Sequence, residues 1–170
     1  MSILKAIIFL IGLFQGKKPK TLPHPYEYPD YSRDMDNTSI ADVMETWMVE
    51  WEVSDPAFWV LEADIRLSRE YTSPGVAFSN EKKILLRPEW ANAGTLAHEA
   101  AHISYSLLSS EEKLGFFVAY TLLKYKGLIK FLYSKNRYGL TSDIEGHAEI
   151  YRYLGNQMPG ELKRFYPKLF

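Results

Sequence analysis

The stretch TLAHEAAHIS, Thr95 to Ser104, constrains this chain more than any other. Asn92 reads as the N-cap of a helix that runs to Ser106 or Leu107. Thr95, Leu96, Ala97, Ala100 and Ala101 are small or apolar, so the helix packs closely and is buried. Burying His98, Glu99 and His102 with it is costly unless each is paired or metal-bound. His98 and His102 are four apart and project from one helical face. Whatever packs on that face must bring partners for them.

The spacing carries a specific chemistry. Two imidazoles on one face supply two corners of a tetrahedral zinc site. Glu99, one residue round from the first histidine, reaches a water on the metal without binding the metal. That is the H-E-x-x-H arrangement of two ligands plus a general base. The competing reading is a hydrogen-bonded pair of core histidines. A catalytic zinc needs a third protein ligand. The chain has no cysteine, which removes thiolate ligands, cysteine nucleophiles and disulfides. Of the other histidines, His24 lies among prolines, and His147 lies in SDIEGHAEIYRYLG. There Glu145 and Glu149 share a helical face that Arg152 continues, while His147 points about 200° away from Glu145. One carboxylate would bind the metal and the other would accept a ring N–H from a ligand histidine. Glu145 is the favoured third ligand, with Glu149 or His147 as alternatives.

The rest of the chain divides in three. Residues 1–18 hold an apolar run from Ile3 to Phe14, short for a bilayer span, followed by Lys17, Lys18 and Lys20. It reads as a membrane anchor, an interfacial helix or an uncleaved signal, with the following chain on the cytoplasmic side. A core helix is the alternative. Residues 19–30, with Pro19, Pro23, Pro25 and Pro29, form an extended linker. Residues 31–170 form the domain.

Within it, Ile40, Val43, Met44, Trp47, Met48 and Trp51 mark a core-facing helix capped by Thr38 or Ser39. WVLEADIRL alternates as a half-buried strand, with Trp59, Leu61, Ala63, Ile65 and Leu67 on one side. VAFS and KILLR form a hairpin around NEK. Ser109 with Glu112 forms a capping box that opens a central core helix, and Ser142 with Glu145 forms another. Gly155 stops that last helix. The layout is α+β, with a short mixed sheet in the N-terminal half and helices after it. A net charge of −1 leaves no electrostatic footprint for nucleic acid.

HEAAH followed at a distance by EGHAEIY resembles the gluzincin zinc metallopeptidases, in particular the minimal gluzincins and the compact metallopeptidase domains related to the ImmA/IrrE group. The resemblance spans Trp59 to about Gly155. It implies a zincin-like fold of strands, zinc helix, backing helix and glutamate helix. It implies one zinc ion held by His98, His102 and Glu145, with Glu149 orienting a zinc histidine and Glu99 as catalytic base. It also implies that the strand around Ile84, Leu85 and Leu86 borders the cleft and pairs with an extended peptide substrate. No downstream histidine is placed to stabilise an oxyanion, and Tyr138, Tyr151 or Arg152 would substitute.

The expected function is zinc-dependent hydrolysis of a peptide or protein substrate. Two other readings compete with it. One is a latent or non-catalytic zinc-binding module whose tail, ELKRFYPKLF, folds across the cleft. The other is a membrane-tethered structural protein, resting on residues 3–14 and the apolar helix after Ser109.

Overall fold

The computed structural model describes residues 39–53, 62–125 and 138–170. The hydrophobic segment and the proline-rich linker expected at the N-terminus lie outside them. Among the described residues no helix is long and apolar enough to cross a membrane.

The first helix, α1 (Ile40–Glu50), starts at Ser39 with a full capping box. The Ser39 hydroxyl accepts from the Asp42 amide, and the Asp42 carboxylate accepts from the Ser39 amide. Its apolar stripe faces the core as the spacing requires: Val43 and Trp47 are buried, and Ile40, Met44 and Met48 pack beside them. Trp51, just past the helix, donates its indole N–H to the Tyr151 carbonyl at 3.1 Å.

Three short strands follow: β1 (Asp64–Leu67), β2 (Gly75–Phe78) and β3 (Lys83–Leu86). They order as β1-β3-β2, with β1 parallel and β2 antiparallel to β3. The fold is therefore α+β with a small mixed sheet. Of the long strand expected from Trp59, Trp59 and Leu61 lie outside the described residues, and the strand found is Asp64–Leu67. Leu67, expected to face inward, ends an edge strand and is 38% exposed.

The expectation that Ile84, Leu85 and Leu86 present a free edge to substrate is overturned. β3 is the middle strand, hydrogen-bonded on both sides, and Ile84 and Leu86 are wholly buried. Among the described residues a free edge lies instead on β2. The Arg87 amide donates to the Pro74 carbonyl, which makes Pro74 and Arg87 a hydrogen-bonded pair. Pairing alternates along an antiparallel ladder, so Val76 and Phe78 also bond inward, and Gly75 and Ala77 turn their backbone groups out.

The helix α2 (Ala93–Ser106) is capped by Asn92, whose side chain accepts from the Thr95 amide at 2.9 Å. It is buried along nearly its whole length, between α1 and the sheet on one side and α4 (Asp143–Leu154) on the other. Ala97, Ala100 and Ala101 are fully buried and keep its neighbours close. α4 runs antiparallel to α2: Glu145 meets His98 and His102, Glu149 meets His98, and Arg152 sits against Gly94. α4 ends at Gly155, in the left-handed region (φ 46°), where the Trp51 indole occupies the space a side chain would need.

Between them, α3 (Ser110–Tyr125) has both bonds of the Ser109–Glu112 capping box, at 2.8 and 3.2 Å. It is not the wholly buried core helix its composition suggested. Phe116, Ala119 and Tyr120 face inward, while Leu114 and Phe117 are about half exposed, because among the described residues the helix packs on one side.

The tail, including α5 (Gly160–Lys163), does not cross the cluster of histidines. It docks on the far side of α4. The ring N–H of His147 donates to the Phe165 carbonyl at 2.7 Å, and the Tyr166 hydroxyl donates to the His147 carbonyl at 2.9 Å. The His147 and Tyr166 rings stack at 3.9 Å. Ser104 donates to the Pro167 carbonyl. Leu162, Phe165, Tyr166 and Leu169 are all buried. Each such side chain contributes about 1.5–3 kcal/mol, so the four together rival the roughly 5–15 kcal/mol that holds a domain folded. Truncation after Gly160 should therefore abolish cooperative unfolding in thermal or urea melts. A truncated chain with a sharp transition near that of the full chain would show the tail to be dispensable.

Candidate metal centre

Three side chains from two helices meet at a point. His98 and His102 come from one face of α2, and Glu145 from the first turn of α4. The two Nε2 atoms lie 3.1 Å apart, and Glu145 Oε2 lies 3.2 Å from His98 Nε2 and 3.6 Å from His102 Nε2. These residues form the group, among those described, whose ligand atoms could hold a metal ion. Ligands at 2.0–2.1 Å from a tetrahedral zinc are separated by about 3.3 Å. The observed triangle has that size.

The donor chemistry fits a cation for a second reason. His98 Nδ1 lies 2.7 Å from Glu149 Oε1, and Glu149 is 1% exposed. A carboxylate there holds the proton on Nδ1, so the lone pair of His98 sits on Nε2 and faces the cluster. Glu145 Oε2 is buried and accepts no hydrogen bond. Lone pairs of nitrogen and carboxylate oxygen converge, and only a positive charge relieves them. Without metal a proton does so. Burial works to lower His98, but the Glu145 and Glu149 carboxylates overcome it and raise its pKa to about 9. Burial and the neighbouring His98 charge lower His102 instead. A simple pair of satisfied core histidines would not need both carboxylates.

Glu99 leaves the cluster on the adjacent side of α2 and reaches β2. Its carboxylate lies where a side chain on Gly75 would go, within 2.7 Å of that position. Burial raises Glu99 to about 7, and the Glu145 charge adds to this; His98, the Ala77 amide and Arg152 pull the other way. Ala77 is one of the residues whose backbone groups face out from β2, so the general-base candidate and the free strand edge share one wall.

Of the remaining expected residues, Tyr138 is at the centre. It is 53% exposed, its ring lies 6.0 Å from the His98 ring, and burial and the Glu145 charge raise its hydroxyl above the usual tyrosine range. Arg152 lies 3.4 Å from Glu149 Oε1 and braces that carboxylate. Tyr151 is elsewhere: it is fully buried, stacked near Tyr166 and beside Phe170, with Trp47 at its hydroxyl. That removes it as an oxyanion stabiliser. His147 is removed as a third ligand by its bond to Phe165 on the opposite face of α4. Glu149, the other alternative, is committed to His98 Nδ1 and Arg152.

Several site residues carried no usable signal in the sequence. Gly75 has no side chain, and that absence makes room for Glu99. Tyr105, one turn beyond His102, donates to Asp143 at 2.6 Å and ties the end of α2 to the start of α4. The second capping box is half formed. Ser142 accepts from the Glu145 amide, but the Glu145 carboxylate turns to the histidines.

Compared with known proteins, the chain matches no family model, no curated protein and no solved structure.

Ligation requires His98 Nε2 without its proton, while the metal-free protein holds that proton up to about pH 9. Zinc binding at pH 7.5 should therefore release about one proton per chain, and its apparent affinity should fall as pH drops. Isothermal titration in buffers of different ionisation enthalpy measures this. A binding heat independent of buffer would contradict it.

Proposed function

We propose that the protein is a zinc-dependent metallopeptidase with a zincin-like arrangement of the gluzincin type. The observation that carries this reading is the triangle of His98 Nε2, His102 Nε2 and Glu145 Oε2, with Glu99 beside it on the strand side. A zinc ion held there would supply the Lewis acidity that polarises a peptide carbonyl and acidifies a water.

The chain's own residues do the remaining work. Glu149 fixes the tautomer and ring orientation of His98, and Arg152 steadies Glu149. Glu99, raised to about 7, is matched to taking a proton near neutral pH and passing it to a leaving amine. The outward backbone groups of Gly75 and the outward carbonyl of Ala77, whose amide faces Glu99, offer a ladder to an extended peptide. This replaces the role first expected of Ile84, Leu85 and Leu86. Tyr138 is the expected oxyanion stabiliser that lies beside the metal ligands. With the tail docked behind α4, latency through a tail across the cleft is not supported.

Purified protein should hold about one zinc per chain. Glu99→Gln should retain that zinc and lose peptidase activity by about 10²–10⁴-fold. Metal analysis and cleavage of a mixed peptide library test both. A natively folded protein that takes up no zinc, or a Glu99→Gln variant with full activity, would refute the proposal.

A further inference from the structure

We propose that Tyr105 is a positioning residue for the metal centre: its hydroxyl holds Asp143, and with it the first turn of α4, so that Glu145 meets both histidines. The inference rests on the metal reading above and concerns how the third ligand is kept in place.

Of the three ligands, Glu145 lies nearest a helix end. It is in the first turn of α4, where backbone amides lack partners within the helix. In a full capping box its carboxylate would accept from the Ser142 amide and tie that turn together. Here the carboxylate faces the histidines, and the bond from the Glu145 amide to the Ser142 hydroxyl is the half of the box that remains. The middle of α4 is fixed by Glu149, which lies 2.7 Å from His98 Nδ1. The first turn needs its own link to α2.

Tyr105 supplies it. Its hydroxyl donates to Asp143 Oδ2 at 2.6 Å, a short bond to a carboxylate and therefore a strong one. Tyr105 lies three residues beyond His102, and Asp143 two residues before Glu145. The link joins the same two helices as the ligand triangle, within one turn of it. Residues two apart on a helix point about 200° from each other. Asp143 and Glu145 thus leave α4 in nearly opposite directions and both end on α2, so together they fix the roll of its first turn. A roll of about 20° would move a side-chain tip by about 2 Å, enough to take a carboxylate out of a shared coordination sphere. The anchor is itself firm. The Tyr105 ring is 8% exposed and lies edge-on to Phe116 of α3 and His147 of α4, with centroids at 6.1 and 5.1 Å. Lys113 Nζ sits 5.4 Å from the ring centroid. None of these contacts uses the hydroxyl, so Tyr105→Phe removes the link and keeps the packing.

The test compares Tyr105→Phe, Asp143→Ala, their double variant and Asp143→Asn in the full chain, with folding checked by circular dichroism. Zinc affinity is measured by competition with a chromophoric chelator, and the cobalt-substituted proteins are examined by visible absorption. Tyr105→Phe and Asp143→Ala should each lower zinc affinity by about tenfold, the low end of the effect of losing a residue that supports a ligand. The double variant should lose no more than either alone, because both remove one bond. The cobalt bands should change in the same way in all three. Asp143→Asn keeps an acceptor for the hydroxyl and should recover most of what Asp143→Ala loses. Zinc affinity of Tyr105→Phe within about twofold of the parent, or additive losses in the double variant, would overturn the proposal. A loss confined to Asp143→Ala would also overturn it, and would assign the effect to the negative charge at the start of the helix. Failure of the parent protein itself to bind zinc or cobalt would overturn the metal reading, and this inference with it.

Discussion

His98 stands between two carboxylates, and the rest of the structure depends on that contact. Glu149 takes its Nδ1 side and Glu145 its Nε2 side, both from α4. A buried imidazole flanked in this way can satisfy its environment only with an added positive charge, whether a proton or an ion. The same contact sets the packing of α2 on α4. Four residues separate the two glutamates and four the two histidines, so the helices must lie antiparallel and close for both pairings to form.

Close approach follows from what flanks the polar residues. Alanines on α2 and Ala148 on α4 keep the bulk between the helices low, while Gly146 admits the Tyr120 ring of α3. Behind α4, the aromatic layer of Tyr151, Tyr166, Phe116 and His147 presses the helix forward, and the tail closes that layer. In front, α2 rests on the sheet, and the absence of a side chain at Gly75 lets Glu99 reach β2. His98, Glu99, Glu145 and Glu149 are thus gathered between α2, α4 and β2, and the C-terminal tail packs away from them.

Much of this was legible in advance. The caps at Ser39, Asn92 and Ser109 lie where the side chains placed them, and α2 has the limits its pattern implied. Glu145 and Glu149 share one face and both meet His98, one at each ring nitrogen. Local rules fail where a residue has a stronger distant partner. Glu145 turns its carboxylate from the capping box to the histidines, and Leu114 and Phe117 are apolar yet face outward because, among the described residues, α3 has neighbours on its other side. Strand order was not legible either. The family resemblance implied that KILLR is the edge that meets substrate, and its apolar residues read the same whether the strand is flanked once or twice.

The sequence by itself determined that His98 and His102 share a helical face, that Glu99 lies beside them, and that Glu145 and Glu149 share another face. Those relations follow from 3.6 residues per turn and need no tertiary contact. Only the tertiary structure decided which carboxylate meets which nitrogen, that Tyr138 rather than Tyr151 stands at the cluster, and that β2 supplies the open edge. Those depend on how helices and strands approach across gaps of tens of residues, where small side chains, a buried tail and ladder register set distances that no local periodicity encodes.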